Sequence, residues 1–180
     1  MAANRVGKSI AGAFETALHL TGEYPDWWAG RRFSHPVEWW AAGDTGETTR
    51  DVVQAELMGP AGQFGHGMIP SDRIINATGR RGISDAIDQV VIRHASGGDS
   101  LLGFKSFDQK RRKFQGTKKH GIWLDEEPPA DVYDECMVRL MTTNGIMLVT
   151  FTPLLGLSEI ALRYMPHLAP QETIGEEYGT

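Results

Sequence analysis

Cysteine is nearly missing from this chain. A single residue, Cys136, stands in 180, which excludes an intramolecular disulfide framework and a cysteine-built metal cluster and fits a reducing cytosolic compartment. Cys136 itself reads as a small buried apolar residue. Long hydrophobic runs are also lacking: no apolar stretch approaches the ~18 residues of a membrane span. The N-terminus carries no apolar signal core. Positive charge is in deficit, with a formal net charge of -5, so bulk attraction to nucleic acid is excluded and any such contact must be a local basic patch. What is present suits one soluble domain with a real core, at 41% hydrophobic and 23% charged residues.

The N-terminus carries the first motif. Ala2, Ala3, Asn4, Arg5, Val6, Gly7, Lys8 and Ser9 follow the phosphate-binding loop pattern G-x-x-x-x-G-K-[ST], with Ala2 where the first glycine is usual. In such a loop, backbone N–H groups cradle phosphate oxygens, the lysine neutralises β/γ charge and the hydroxyl holds Mg²⁺. Gly-Lys-Ser also occurs in surface turns, and the downstream sequence decides between the two. Ile10, Ala13, Phe14, Ala17 and Leu18 recur at helical spacing, so a helix with one apolar stripe starts at the loop and stops at Gly22. A phosphate there would meet unpaired N–H groups and the positive end of the helix dipole. Loops of this kind hang from the end of a buried strand, and a segment upstream of Met1 is expected to supply it.

Tyr24 to Phe33, dense in Pro, Gly and aromatics, reads as an ordered connection packing rings on the core. Trp39 to Gly43 forms a short buried strand, followed by a turn and a helix from Thr48 or Thr49 to about Met58 with Val52, Val53, Ala55, Leu57 and Met58 near one face. Paired tryptophans can stack single-stranded bases, but packing in the core or at a subunit contact is the stronger reading. Residues 59–70 are loop, and His66 belongs to it. Asp88–His94 and Ser100–Phe107 around Gly97-Gly98-Asp99 predict an antiparallel hairpin. The cluster Lys110, Arg111, Arg112, Lys113, Lys118 and Lys119 is either a solvated helix face or a phosphate or DNA contact.

His120 to Glu127 carries the second motif. A nucleotide hydrolase needs a hydrophobic strand whose end delivers an aspartate to the Mg²⁺ shell, which Ile122, Trp123, Leu124 and Asp125 fit. The acid one step past that aspartate is suited to polarise the attacking water, which makes Glu126 the candidate base. Asp-Glu-Glu alone could be an exposed acidic turn; with the loop upstream, the joint reading prevails. Beyond Pro128-Pro129, a helix carries Val132, Tyr133, Cys136, Met137, Leu140 and Met141 on its apolar face. Ile146–Thr152 reads as a buried strand ended by Pro153, with Thr150 and Thr152 placed either to sense the γ-phosphate or to satisfy backbone groups. A short helix spans Ser158 to about Met165, and 171–180 is a polar tail or linker after a domain of residues 1–170.

Asn4–Ser9, Tyr24-Pro25 with Trp27-Trp28 and Arg32-Phe33, Phe104–Gln109, Phe114-Gln115-Gly116, Ile122–Pro129 and Thr150–Leu154 together resemble the large terminase subunit of tailed bacteriophages, in its N-terminal ATPase half. The resemblance implies an α/β P-loop fold: a mainly parallel sheet flanked by helices, with a β-hairpin insertion. It implies ATP hydrolysis with Mg²⁺ that drives double-stranded DNA into a procapsid, with the portal protein and small terminase subunit as partners. A homo-oligomeric ring, in the host cytoplasm and transiently on the procapsid, is expected. It further implies that Thr150-Phe151-Thr152 couples hydrolysis to movement, and that Arg5 acts on the γ-phosphate in cis unless a neighbour's arginine acts in trans. The family's nuclease domain and first core strand are expected to be absent from this stretch. Two other readings stand beside it: an inactive nucleotide-binding or assembly module, and a P-loop kinase of small molecules, which Asp125-Glu126 disfavours because it suits water as the acceptor.

Overall fold

The computed structural model describes residues 7–153, 156 and 158–168. Ala2 to Val6, Arg5 among them, and the 171–180 tail lie outside the described residues. The architecture is a six-stranded sheet with helices on both faces. In chain order the elements are α1 (Lys8–Thr21), β1 (Glu38–Gly43), α2 (Gly46–Thr48), a π-helical stretch Thr49–Gln54, α3 (Ala55–Met58), β2 (Ile74–Gly79), β3 (Ile87–His94), β4 (Gly98–Ser106), β5 (Gly121–Asp125), α4 (Ala130–Met141), β6 (Ile146–Thr150) and α5 (Glu159–Tyr164). The strand order is β2-β3-β4-β1-β5-β6. β4, β1, β5 and β6 pair in parallel, and β2 and β3 add an antiparallel side. The expected hairpin is thus built into the sheet, since β4 pairs directly with β1. No described helix is long and apolar enough to cross a membrane.

The two faces of the sheet carry two cores. Trp39, Ala41, Leu102, Phe104 and Trp123 face α1 and the α2–α3 segment, while Trp40, Ala42, Ile122 and Leu124 face α4 and α5. This follows from the period of two along each strand, which sends neighbouring tryptophans 39 and 40 to opposite sides. Both are buried, so the core reading of this pair holds over base stacking. Each fully buried large side chain is worth roughly 1.5–3 kcal/mol of transfer free energy.

Several expectations shift in detail. The buried side of α1 is Gly12, Ala13, Thr16, Ala17 and Leu20, whereas Ile10 is half exposed and Phe14 stacks on the exposed Trp27. Small residues face the sheet because the large rings on this side, Trp39 and Trp123, come from the strands. Gly22 ends the helix as expected, at φ 71° with its N–H donating to the Leu18 carbonyl. Val52 is exposed, because the π-helical stretch resets the helical phase. Met137 and Met141 of α4 also point to solvent, rotated off the buried stripe of Val132, Tyr133, Cys136 and Leu140. β6 stops at Thr150 and is half-buried along its length, as its position at the sheet edge dictates. Residues 107–114 form two 3-10 turns rather than a helix face, and β2 was not legible in the sequence pattern.

Candidate active site

The C-terminal ends of β1, β5 and β6 converge on the N-terminus of α1, the usual ligand position in an open α/β sheet. Gly7 precedes α1 at φ 84°, a left-handed conformation suited to glycine. The Ser9 hydroxyl lies 3.0 and 3.1 Å from the two carboxylate oxygens of Asp125, to which it donates. The Lys8 ammonium donates to Thr152 Oγ1 at 2.7 Å. Two segments 116 residues apart in sequence are thereby joined.

Strand alternation explains the rest of the constellation. Asp125 follows Trp123 by two residues and shares its face, the one under α1. Thr150 pairs with Asp125 across the sheet and shares that face too. Trp123 Nε1 donates to Thr150 Oγ1 at 2.7 Å, and Thr150 Oγ1 lies 2.6 Å from Asp125 Oδ1, to which it donates. The carboxylate is fixed from two sides, by Ser9 of the helix and by Thr150 of the neighbouring strand.

Glu126 breaks the alternation. A continued strand would point its side chain to the opposite face from Asp125. Its φ is 80°, a left-handed conformation that costs a non-glycine residue roughly 1–2 kcal/mol. Its N–H is held by the Thr150 carbonyl at 2.9 Å. The result is a cavity of about 240 Å³ lined by Ser9, Asp44, Thr48, Asp125 and Glu126 together, with Gly43, Val52 and Val53.

Electrostatics follow from this enclosure. Burial pushes the Asp125 carboxyl above the ordinary carboxylate range, against the hydrogen bonds from Thr150 and Ser9 and the charge of Lys8. Burial, then the negative charges of Asp125 and Asp44, hold Glu126 high as well, with Lys8 opposing. Both carboxyls therefore hold their protons to higher pH than ordinary aspartate and glutamate do. Cys136, by contrast, is buried in the second core with its thiol pushed up to about 12, inert as its sequence context suggested.

Of the expected site residues, Gly7, Lys8, Ser9, Asp125, Glu126, Thr150 and Thr152 come together at this end of the sheet. Asp44 was not anticipated. The signal was available: it is an acid directly after a buried strand, as Asp125 is. Trp123 was read only as part of the hydrophobic strand that delivers Asp125, yet its indole N–H also donates to Thr150.

Comparison with known proteins identifies the family and the fold. Residues 1–172 match the family model described as terminase large subunit, T4likevirus-type, N-terminal. The chain is similar to the large terminase subunit of Salmonella phage P22, with 34% identity over 97% of this chain and 39% of that protein. It therefore spans well under half the length of that relative. In fold it is similar to the large terminase of a thermophilic bacteriophage, solved in complex with ADP, at a TM-score of 0.56 and 18% identity, covering 83% of this chain and 31% of that one. With the family model matching nearly its whole length, the chain belongs to the terminase large subunit family, as its N-terminal part.

Proposed function

We propose that this chain forms the ATP-hydrolysing core of a viral DNA-packaging motor. The observation that carries the reading is the joining of Lys8 and Ser9 at the start of α1 to Asp125, Glu126, Thr150 and Thr152 at the ends of β5 and β6. Family membership sets aside the small-molecule kinase. The terminase of the thermophilic phage was solved with ADP, which supports nucleotide binding.

In this reading Lys8 meets the β/γ-phosphate charge, with the backbone of residues 2–7 around the phosphates and Arg5 acting on the γ-phosphate. Ser9 and Asp125 fit a Mg²⁺ ion: both present hard oxygen donors to one point and already face each other at hydrogen-bond distance. When bound, the ion screens the phosphate negative charge. Glu126 accepts the proton of the attacking water, and its raised affinity for protons matches it to that task. Thr150 holds Asp125 in orientation, and Thr152, in contact with Lys8, reports the state of the phosphate site to β6. Double-stranded DNA, the portal protein, the small terminase subunit and a homo-oligomeric ring on the procapsid in the host cytoplasm complete the proposal.

Glu126→Gln tests it. Nucleotide binding, followed with a fluorescent ATP analogue, stays within about twofold, while hydrolysis falls by roughly 10²–10⁴, the usual contribution of a general base. Unchanged turnover overturns the assignment. Nucleotide binding that is insensitive to Lys8→Ala would favour an assembly module.

A further inference from the structure

The basic segment after β4 is not used by the nucleotide site. Lys110, Arg111, Arg112, Lys113, Lys118 and Lys119 are six of the chain's 18 lysines and arginines, set within ten residues that contain no acid. In a chain of net charge -5, such segregation is a distinct feature of charge placement. The structure sorts the six. Arg111 is paired with Glu135 at 2.9 Å, and Lys119 with Glu38 at 2.6 Å. Lys110, Arg112, Lys113 and Lys118 are exposed and make no ion pair among the described residues.

The fold holds these charges outward. Phe107 and Phe114 are buried, and Phe114 sits edge-on against Trp40 at 5.8 Å. The two 3-10 turns between are therefore pinned at both ends by rings, and their cations point to solvent. Beside them, Lys105 and Lys119 both lie over the Trp40 ring, 5.5 and 5.0 Å from its centroid. They border a pocket of about 380 Å³ that also includes Glu38, Asp88 and Thr117. Burial lowers the proton affinity of Lys105, and Lys113, Lys119 and Arg80 add to that effect against Asp88. Lys105 thus adds a further cation at the border of the exposed four.

We infer that this surface, Lys110 to Lys118 with Lys105 at its border, contacts the phosphate backbone of double-stranded DNA. The partner rests on the packaging reading above. Duplex rather than single-stranded nucleic acid fits, because the aromatic rings of the segment are buried and offer no platform for an unpaired base. The contacts are with phosphate, carry no sequence preference and weaken steeply with salt.

The test measures binding of the full chain to a labelled duplex of about 30 base pairs and arbitrary sequence, by anisotropy across a salt series. Arg112→Ala with Lys113→Ala reduces the slope of log K against log salt by roughly 1.8, at about 0.9 per phosphate contact, and lowers affinity at least about tenfold at low salt. Charge reversal at both sites abolishes binding, and the charge-conserving pair Arg112→Lys with Lys113→Arg retains it. Wild-type slope in the double alanine variant, or no duplex binding by the wild type, overturns the inference. Competition by poly-glutamate as effective as DNA per charge also overturns it, in favour of an acidic protein partner. ATP hydrolysis is read in the same samples. Intact hydrolysis with unaltered DNA binding removes this inference alone, and absent hydrolysis with charge-dependent DNA binding removes the ATPase reading alone.

Discussion

Gly12→Ala addresses the contact that sets the geometry of the site. Gly12 lies on the buried side of α1, one turn past Lys8 and Ser9, directly against Trp123. A β-carbon added there would stand 2.4, 2.5 and 2.9 Å from Nε1, Cε2 and Cζ2 of the indole, where carbon contacts are optimal near ~3.5 Å. Something must move by about 1 Å to relieve it. The indole cannot easily retreat: Trp123 is fully buried, and its Nε1 is bonded to Thr150. If the ring moves, Thr150 and then Asp125 follow. If the helix moves, Lys8 and Ser9 leave them.

Overpacking of this kind costs roughly 1–3 kcal/mol, and alanine in place of helical glycine returns about 0.8–1 kcal/mol. The net destabilisation is on the order of 0–2 kcal/mol, a drop in melting temperature of at most roughly 8 °C for a chain of this size. Catalysis is far more sensitive, since misplacement by about 1 Å can cost on the order of 10² in rate. Gly12→Ala should thus lose about 30- to 100-fold in ATP turnover while remaining folded. Trp123→Phe in that background removes the clashing indole atoms, so the double variant is more active than the product of the single losses requires. Thermal melts and steady-state hydrolysis on the four proteins settle it. A Gly12→Ala chain with wild-type turnover and a raised melting temperature would refute the reasoning, because the helix–tryptophan contact would then not control the site.

Three more outcomes follow from the same geometry. The acid limb of the pH–rate profile lies above the ordinary glutamate range because Glu126 is held high, and Asp44→Asn, by removing one of the negative charges responsible, shifts that limb to lower pH. Thr150→Val leaves the Trp123 N–H without its acceptor and Asp125 without a donor, and should destabilise by about 1–3 kcal/mol in denaturant titration. His94 and His120 are both held below the ordinary histidine range, chiefly by burial. The unfolded chain therefore binds more protons as pH falls through that range, and the melting temperature drops between about pH 7 and 5; His94→Asn flattens the drop, and an unaltered pH dependence in that variant removes His94 as a source.

How much of this was legible in the sequence depended on how local the cause was. α1, the β1 strand, the β3–β4 pair and the strand ending in Asp125 were readable because periodicity and glycine stops act within a few residues. β2 was not: Ile74–Gly79 is exposed for most of its length and is held by pairing with β3, so it carries no apolar alternation. The buried side of α1 was misjudged at Ile10 and Phe14, because what the helix buries is set by tryptophans from two strands far along the chain. Lys8, Ser9 and Asp125 were singled out through residue type and spacing, and the fold brings them together. Asp44 was missed, since its role depends on β1 lying beside β5, a long-range pairing.

Glu126 shows how a motif can name residue types and be silent about the means by which the fold presents them. Two consecutive acids on an ordinary strand end face opposite sides of a sheet, and only one could reach a nucleotide. Here the second is turned back by a left-handed backbone conformation, with its N–H tied to the Thr150 carbonyl. The same threonine, through its hydroxyl, orients the first acid. Thr150 therefore governs both carboxylates, one by its side chain and one by its backbone. A shift of β6 along β5 would move the two acids together, and Lys8 through Thr152 with them. The strained residue and the threonine strand end are thus one mechanical unit, and in the motor proposed above it is β6 that would carry the state of the nucleotide site outward.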